Sequence, residues 1–402
     1  MVSIIEVKTK KQLRCFVDYP NQLYRDVEQF VPATYGDDLE DWDRSKNPAF
    51  AYCDARCWLA YRDGEVVGRI GAILSRKANE KWGTNRLRFT QVDFIDDPEV
   101  SRALFATVEN WAREIGCTAV HGPLGFTDMD REGMLVEGFD RRSLFFTNYN
   151  APYYLEHLTR LGYRKDVDWI EYRITVPAPG SAEAERLHKL SEFILKRKNL
   201  HVATVHHKSE YGPFVRQVFE LVNAAYAPLY GVVELSDEQI ERYANKFIPL
   251  VDPEFVCFVL DEQENLVAFG VTTLDPSPAL KHSDGRLFPF GWAEVLNDLH
   301  HGDTLIMLLT AVRPDLQTEG INAVMMDHVC QSCNRHGVQF AETGPMLELN
   351  DHILAQWKRL EKEQHKRRRC FIKDLDHGIN AANAAAAQAE APEAAPAAES
   401  AE

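Results

Sequence analysis

The sequence predicts an α/β protein of two similar units, each a mixed sheet flanked by helices, and three observations carry that reading. A hairpin pattern occurs twice, about two hundred residues apart. Trp58-Leu59-Ala60-Tyr61, Asp63-Gly64 and Val66–Gly71 form the first, and Phe255–Val259, Gln263-Glu264-Asn265 and Leu266–Gly270 the second. Each hairpin is followed by a strand, a helix and another strand. Both of those last strands run into Gly-Pro, at Gly122-Pro123 and Gly344-Pro345. Shared order of this kind points to internal duplication of one supersecondary unit.

The elements follow in turn. After the first hairpin comes a strand over Phe89 to Ile95. Asp97 then caps a helix from Pro98 to Ile115, with Pro98 at the first helical position, and a strand follows from Thr118 to His121. The halves part near Pro177-Ala178-Pro179-Gly180. Ser181 caps a connecting helix through Leu187, Leu190 and Ile194 that ends in Lys196-Arg197-Lys198, where the helix dipole favours cations. The second half repeats the succession with a strand over Leu305–Val312, a helix from Gly320 to Asn334, and a strand from Val338 to Glu342. The predicted boundaries are a first unit over 1–176, a linker helix over 177–200 and a second unit over 201–378. The remaining segment, 379–402, is Ala-rich with Glu and Pro, and its composition predicts disorder.

At 402 residues, 45% of them hydrophobic, the chain can fill two ordinary cores. No run is long enough for a membrane span and the start lacks a signal pattern, so the expected location is the cytoplasm. The net charge of −16 argues against nucleic acid as a partner. One basic run, Lys366-Arg367-Arg368-Arg369, reads as a solvated face or as an attractor for cofactor phosphates. The eight scattered cysteines, Cys330 and Cys333 among them, read as thiols rather than as disulfides or a metal centre.

One junction points to a ligand. An apolar strand ends at Arg313-Pro314, and a turn carrying Gly320 leads into a helix. Such a turn leaves backbone N–H groups pointing outward at the positive end of the helix dipole, which suits a phosphate. Gln317-Thr318-Glu319-Gly320-Ile321-Asn322 resembles the Q/R-x-x-G-x-G/A loop of the GNAT acetyltransferases, with Asn322 where that family has Gly or Ala. Two such units resemble the tandem GNAT proteins, a group that includes mycothiol synthase, N-myristoyltransferase and the Fem-type ligases. The segments 93–100 and 122–130 are similar to those of uncharacterised bacterial GNAT-like proteins of about this length. The resemblance spans nearly the whole chain apart from the tail. It implies two GNAT-like units and acetyl-CoA or another acyl-CoA as co-substrate. It also implies a cofactor site at Ala311, Val312, Gln317, Thr318, Glu319, Gly320, Ile321, Asn322 and Asn350. The first half instead carries Asp96, Asp97 and Glu99 at its junction and no glycine, so no cofactor is expected there.

Acyl transfer to an amine needs a proton acceptor and a proton donor. In the family a tyrosine seven residues after an asparagine often donates. Asn350 has that place here, but Trp357 stands where the tyrosine belongs. Tyr153 and Tyr154 in the first half are the alternative donors. Glu342, at the end of its strand, is the candidate base, or else pairs with a neighbouring cation. The loop from Thr127 to Phe139 gathers Asp128, Asp130, Glu132 and Glu137. Its opening matches a calcium loop, but Phe139 stands in place of the closing glutamate, so no metal is expected. These acids would meet a cationic substrate or simply form a polar loop. Tyr226 and Tyr230 are candidates for the acceptor side. The reading is an N-acetyltransferase-type acyltransferase acting on a small-molecule or peptide amine. The alternatives are a non-catalytic acyl-CoA-binding scaffold and a Fem-like aminoacyl transferase, against which the net charge speaks.

Overall fold

A computed structural model describes residues 1–375. The segment 379–402, expected to be disordered, lies outside the described residues.

The first half runs β1 (Ser3–Glu6), α1 (Lys10–Leu23), α2 (Tyr35–Asp41), β2 (Cys53–Arg62), β3 (Glu65–Ser75), α3 (Arg76–Trp82), β4 (Arg86–Phe94), α4 (Pro98–Glu114) and β5 (Ala119–Gly122). Then come β6 (Met134–Glu137), α5 (Tyr153–Arg160), β7 (Arg164–Thr175) and the connecting helix α6 (Ala182–Lys198). The β2–β3 hairpin closes through Asp63 and Gly64, both at positive φ, as a tight two-residue turn requires. Asp97 and Ser181 cap α4 and α6 by accepting from backbone N–H groups.

The second half runs β8 (His201–Val202), α7 (Gly212–Tyr226), α8 (Asp237–Phe247), β9 (Val256–Leu260), β10 (Leu266–Leu274), α9 (Ser277–His282), α10 (Gly291–His301) and β11 (Thr304–Val312). It ends with α11 (Asn322–His336), β12 (Phe340–Thr343), β13 (Met346–Leu347), α12 (Asp351–Gln356) and β14 (Lys362–Asp374).

One sheet threads both halves in the order β1-β2-β3-β4-β5-β14-β7-β12-β11-β10-β9-β8. Read inward from either end, five strands of one half are followed by the last strand of the other. Thus β14 lies beside β5, and β7 lies beside β12. The pairs β4–β5 and β11–β12 are parallel and every other pair is antiparallel. Helix α4 covers the first half-sheet, burying Leu104, Phe105, Val108 and Trp111 against Phe89 and Phe94.

The basic run departs from its reading as a solvated face. It lies inside β14, where Lys366 and Arg368 are buried. Arg368 Nε sits 2.5 Å from Glu171 of β7, and Lys366 Nζ 3.2 Å from the other oxygen of the same carboxylate. On the opposite face of the strand, Arg367 and Arg369 pair with Asp168. Burial alone would raise Glu171, but Arg368 and Lys366 overcome it and hold the carboxyl down at about 2. A charge run is tolerated inside a sheet because the neighbouring strand answers it with carboxylates.

Candidate functional site

Strands β11 and β12 pair only from Thr304 to Met307, although β11 continues to Val312. Beyond Met307 the two part, and Met307 to Thr310 remain half-exposed. The Tyr226 hydroxyl donates to the Thr310 carbonyl across 2.9 Å, so that carbonyl faces the opening. In an antiparallel pairing such as β10–β11, the N–H and C=O of one residue point the same way. The Thr310 amide therefore faces the opening as well.

Three cavities have lining residues on this edge. The first, about 80 Å³, lies on the α11 side between Asn322, Met325, Met326, Val176 and Trp357, and is almost wholly apolar. A second of about 200 Å³ is lined by Asp128, Glu132, Tyr226, Tyr230, Asn350 and Trp357. The third, about 70 Å³, is entirely apolar and lies between α7, α8 and the sheet, with Val218, Phe219, Phe247 and Phe258 in its walls. Leu309 lines all three, and Met307, Thr310 and Trp357 are shared by the first two.

The glycine turn directly precedes Asn322, which lines the first cavity. Gly320 takes φ +81°, a left-handed conformation suited to glycine. Among the described residues, the N–H groups of Gln317, Thr318, Gly320 and Ile321 have no acceptor. The turn's own acids are answered locally. Arg313 forks onto Asp315 at 2.7 and 3.1 Å, and Lys198 at the end of α6 reaches Glu319 at 2.7 Å. That role for Lys198 is invisible in the sequence, where the basic end of α6 serves only its own helix. Gln317 donates to the Val312 carbonyl at 3.3 Å, and Ala311 and Val312 are buried at the strand end. At the corresponding place in the first half, Arg62 spans Asp97 and Glu99 at 2.7 and 2.8 Å.

The predicted site residues fall into two groups. Asp128, Glu132, Tyr226, Tyr230 and Asn350 come together in the second cavity. The two acids arrive there on a loop of the first half. Burial lifts the Asp128 carboxyl to about 6, and burial together with Asp128 lifts Glu132 well above the usual carboxylate range. Burial also pushes the Tyr226 phenol up to about 12. The other residues stand apart. Asp130 accepts from Tyr243 at 3.0 Å and lines a separate cavity, while exposed Glu137 pairs with Arg367 at 3.2 Å. Glu342 pairs with Lys366 at 3.2 Å, and lines none of the three cavities. Tyr153 and Tyr154 bond to backbone atoms of Phe94 in the first-half core. Trp357, in the tyrosine's place, is buried with Nε1 3.1 Å from Met346 Sδ.

A cluster that the sequence conceals surrounds Tyr230. Its hydroxyl lies 2.5 Å from Asp166 Oδ2, 3.0 Å from His121 Nδ1 and 3.5 Å from Cys370 Sγ. Burial depresses His121 to about 4, so the imidazole is neutral at pH 7. His121, Asp166 and Cys370 form a donor set of the kind that binds transition metals, with the phenol at its centre. They stand on three strands from both ends of the chain, which is why spacing gave no signal.

No protein-family model matches the sequence. Protein YghO of Escherichia coli K12 is 26% identical over 376 residues, covering 91% of this chain and 94% of that protein. A bacterial ceramide synthase from Caulobacter vibrioides is 26% identical over 301 residues, covering 73% of this chain and 76% of that protein. Among solved structures, a tandem GNAT protein from the clavulanic acid biosynthesis pathway superposes with a TM-score of 0.52 at 14% identity. That match covers 93% of this chain and 98% of the other. A GCN5-related glucosamine N-acetyltransferase region of a fungal multi-domain β-N-acetylglucosaminidase gives 0.54 at 11% identity, covering 93% of this chain and 38% of the other. The chain thus has the tandem GNAT fold that its sequence resemblance implied. Among the described residues, no helix is long and apolar enough to cross a membrane.

Proposed function

We propose that this protein is an acyl-CoA-dependent N-acyltransferase in which an amine attacks the thioester directly. The observation that carries the reading is the parting of β11 and β12, where cavities of different chemistry meet at Met307–Thr310. The pyrophosphate of coenzyme A would rest on the free N–H groups of Gln317, Thr318, Gly320 and Ile321 before α11. From there the apolar first cavity would take the pantetheine arm past Asn322 and Met325 toward Thr310. The Thr310 amide is placed to donate to the oxyanion that forms on the thioester carbon. On the far side the second cavity would receive the amine.

The third cavity bears on the acyl group. Its walls are wholly apolar and Leu309 lines it together with the first two cavities, so it would suit an aliphatic segment of the acyl group. Kinship with a protein named as a ceramide synthase supports amide formation with a lipid-sized substrate. Calorimetric titration with acetyl-CoA and palmitoyl-CoA tests the donor. Micromolar binding of palmitoyl-CoA, tighter than that of acetyl-CoA, is the expected result. A folded protein that binds neither would end the acyltransferase reading.

A further inference from the structure

We propose that the open gap of the second half takes its proton acceptor from the first half. In this assignment Asp128, with Glu132 beside it, receives the ammonium group of a primary aliphatic amine and removes its proton before attack. This deepens the acyltransferase reading and rests on it.

The geometry is that of a site built for a cation. Asp128 Oδ1 is buried and has no hydrogen-bond partner among the described residues, and its side chain lines the cavity that opens on Thr310. Glu132 lines the same cavity. A bare buried carboxylate oxygen is costly and rare, and the carboxyl that carries it belongs to a residue lining a ligand-sized space, where a donor brought by a ligand would offset that cost.

Charged and titratable groups face the pair from several elements, and none neutralises it. Arg88 on β4 donates to the carbonyls of Gly125 and Gly231 at 2.8 and 3.1 Å. Lys81 on α3 donates to the Ala227 carbonyl at 2.9 Å. Asp130, on the same loop, is engaged with Tyr243 and with the N–H groups of Phe126 and Thr127. Tyr226 is bonded to Thr310, and the buried Cys370 of β14 lies close enough for Glu132 to raise its thiol further. Among the described residues, no Lys, Arg or His forms an ion pair with Asp128 or Glu132. The rest of the wall, Leu229, Val232, Leu308 and Met346, suits an alkyl group.

The chemistry balances. The Asp128 carboxylate accepts one proton from R–NH3+, giving R–NH2 and a carboxylic acid. The nitrogen lone pair then forms a bond to the thioester carbon, whose oxygen becomes the oxyanion at the Thr310 amide. When the carbonyl re-forms, the C–S bond breaks and coenzyme A leaves as thiolate. The extra proton on the amide nitrogen passes to that thiolate, and Asp128 returns its own to solvent. Raised carboxyls suit this task because a base works best when its pKa lies near the working pH.

The test reads donor and acceptor separately in wild type, Asp128→Asn and Glu132→Gln. Palmitoyl-CoA affinity, measured by calorimetry, is expected to be equal in all three proteins, and its absence in wild type would sink the acyltransferase reading alone. Coenzyme A release from palmitoyl-CoA with dodecylamine as acceptor is expected to fall about 100-fold or more in kcat for Asp128→Asn, with KM for palmitoyl-CoA unchanged. In wild type an acid limb of kcat/KM is expected near pH 6, and in the variant that limb is absent. Activity retained within about twofold, with the same limb, would overturn the assignment. If wild type shows no turnover of dodecylamine, its calorimetric binding decides instead. Binding about tenfold tighter to wild type than to Asp128→Asn supports the site, and equal binding or none overturns it.

Discussion

The two halves part a parallel strand pair at the same place in the fold, and the two resulting gaps are closed to different degrees and lined by different chemistry. In the first half the chain folds back at once. Leu124 N donates to the Phe89 carbonyl at 3.0 Å, and a Cβ on Gly122 would stand 2.3 Å from that same oxygen. A cavity of about 270 Å³ remains beside the parted strand, lined by Thr90, Gln91 and Phe126 and by Lys246 and Phe247 of α8, but its charges are already matched, Arg131 with Asp38 and Lys246 with Asp37. In the second half a Cβ on Gly344 would lie 3.4 Å from the Met307 carbonyl, an ordinary contact, and the strand edge remains accessible. The tightness of one turn after a strand sets how closely the chain packs back on the strand edge, and the charges around it set what the remaining space can hold. The loop that lines the first gap also carries Asp128 and Glu132 into the second.

The contrast is broken most directly by filling each cavity. Thr310→Trp is expected to abolish palmitoyl-CoA binding, with affinity down about 1,000-fold or more by calorimetry, because it blocks the edge shared by two cavities. Asn245→Trp, exposed in α8 on the rim of the cavity beside the first gap, is expected to leave affinity unchanged. Equal losses would mean that both gaps bind.

Next in size is Glu171→Gln, which leaves Arg368 without its carboxylate and Lys366 with Glu342 alone at the seam between the half-sheets. A loss of ~3–5 kcal/mol in urea unfolding is expected, with one transition for both halves. The wild-type pair is also acid-sensitive. Its folded pKa lies below the unfolded value, so its contribution is full above about pH 4.3 and declines as pH falls toward 2. Thermal melts from pH 5 to pH 2 should show that decline, and Glu171→Gln should flatten it.

A matched glycine pair sharpens the comparison further. Gly122→Ala is expected to cost about 3 kcal/mol, since it combines a clash with backbone oxygen and a φ of +148°. Gly344→Ala should stay within ~0.5 kcal/mol in the same urea assay. Similar costs would show the two gaps to be equally tight. Smallest of all, Lys198→Ala should weaken palmitoyl-CoA binding only about threefold, by leaving the Glu319 charge unanswered beside the phosphates.

Much of the fold was legible because its signals are local. Alternation, the Asp63-Gly64 turn and the caps at Asp97 and Ser181 each act within a few residues, and the structure places the elements where those signals put them. The glycine turn before α11 was legible for the same reason. What the sequence hid is long-range. Lys366 to Arg369 read as a surface run because their carboxylates, Asp168 and Glu171, stand about two hundred residues earlier. Asp128 and Glu132 could be picked out as acids, but that they face the other half's gap depends on the packing of the halves. The cluster of His121, Asp166, Tyr230 and Cys370 draws on four separate segments and has no spacing to read.

The exchanged last strands have a consequence for synthesis. The strand that completes the first half-sheet, β14, begins about 240 residues after Gly122 ends β5. At ribosomal speeds of roughly 5–20 residues per second, the edge of β5 waits on the order of 12–50 s for its neighbour. During that interval a nascent chain exposes an unpaired strand edge of the kind that recruits wrong partners. A truncated first half would keep that exposure permanently, so chaperone dependence and aggregation of fragments should track the absence of Lys362–Asp374 rather than the length of chain made.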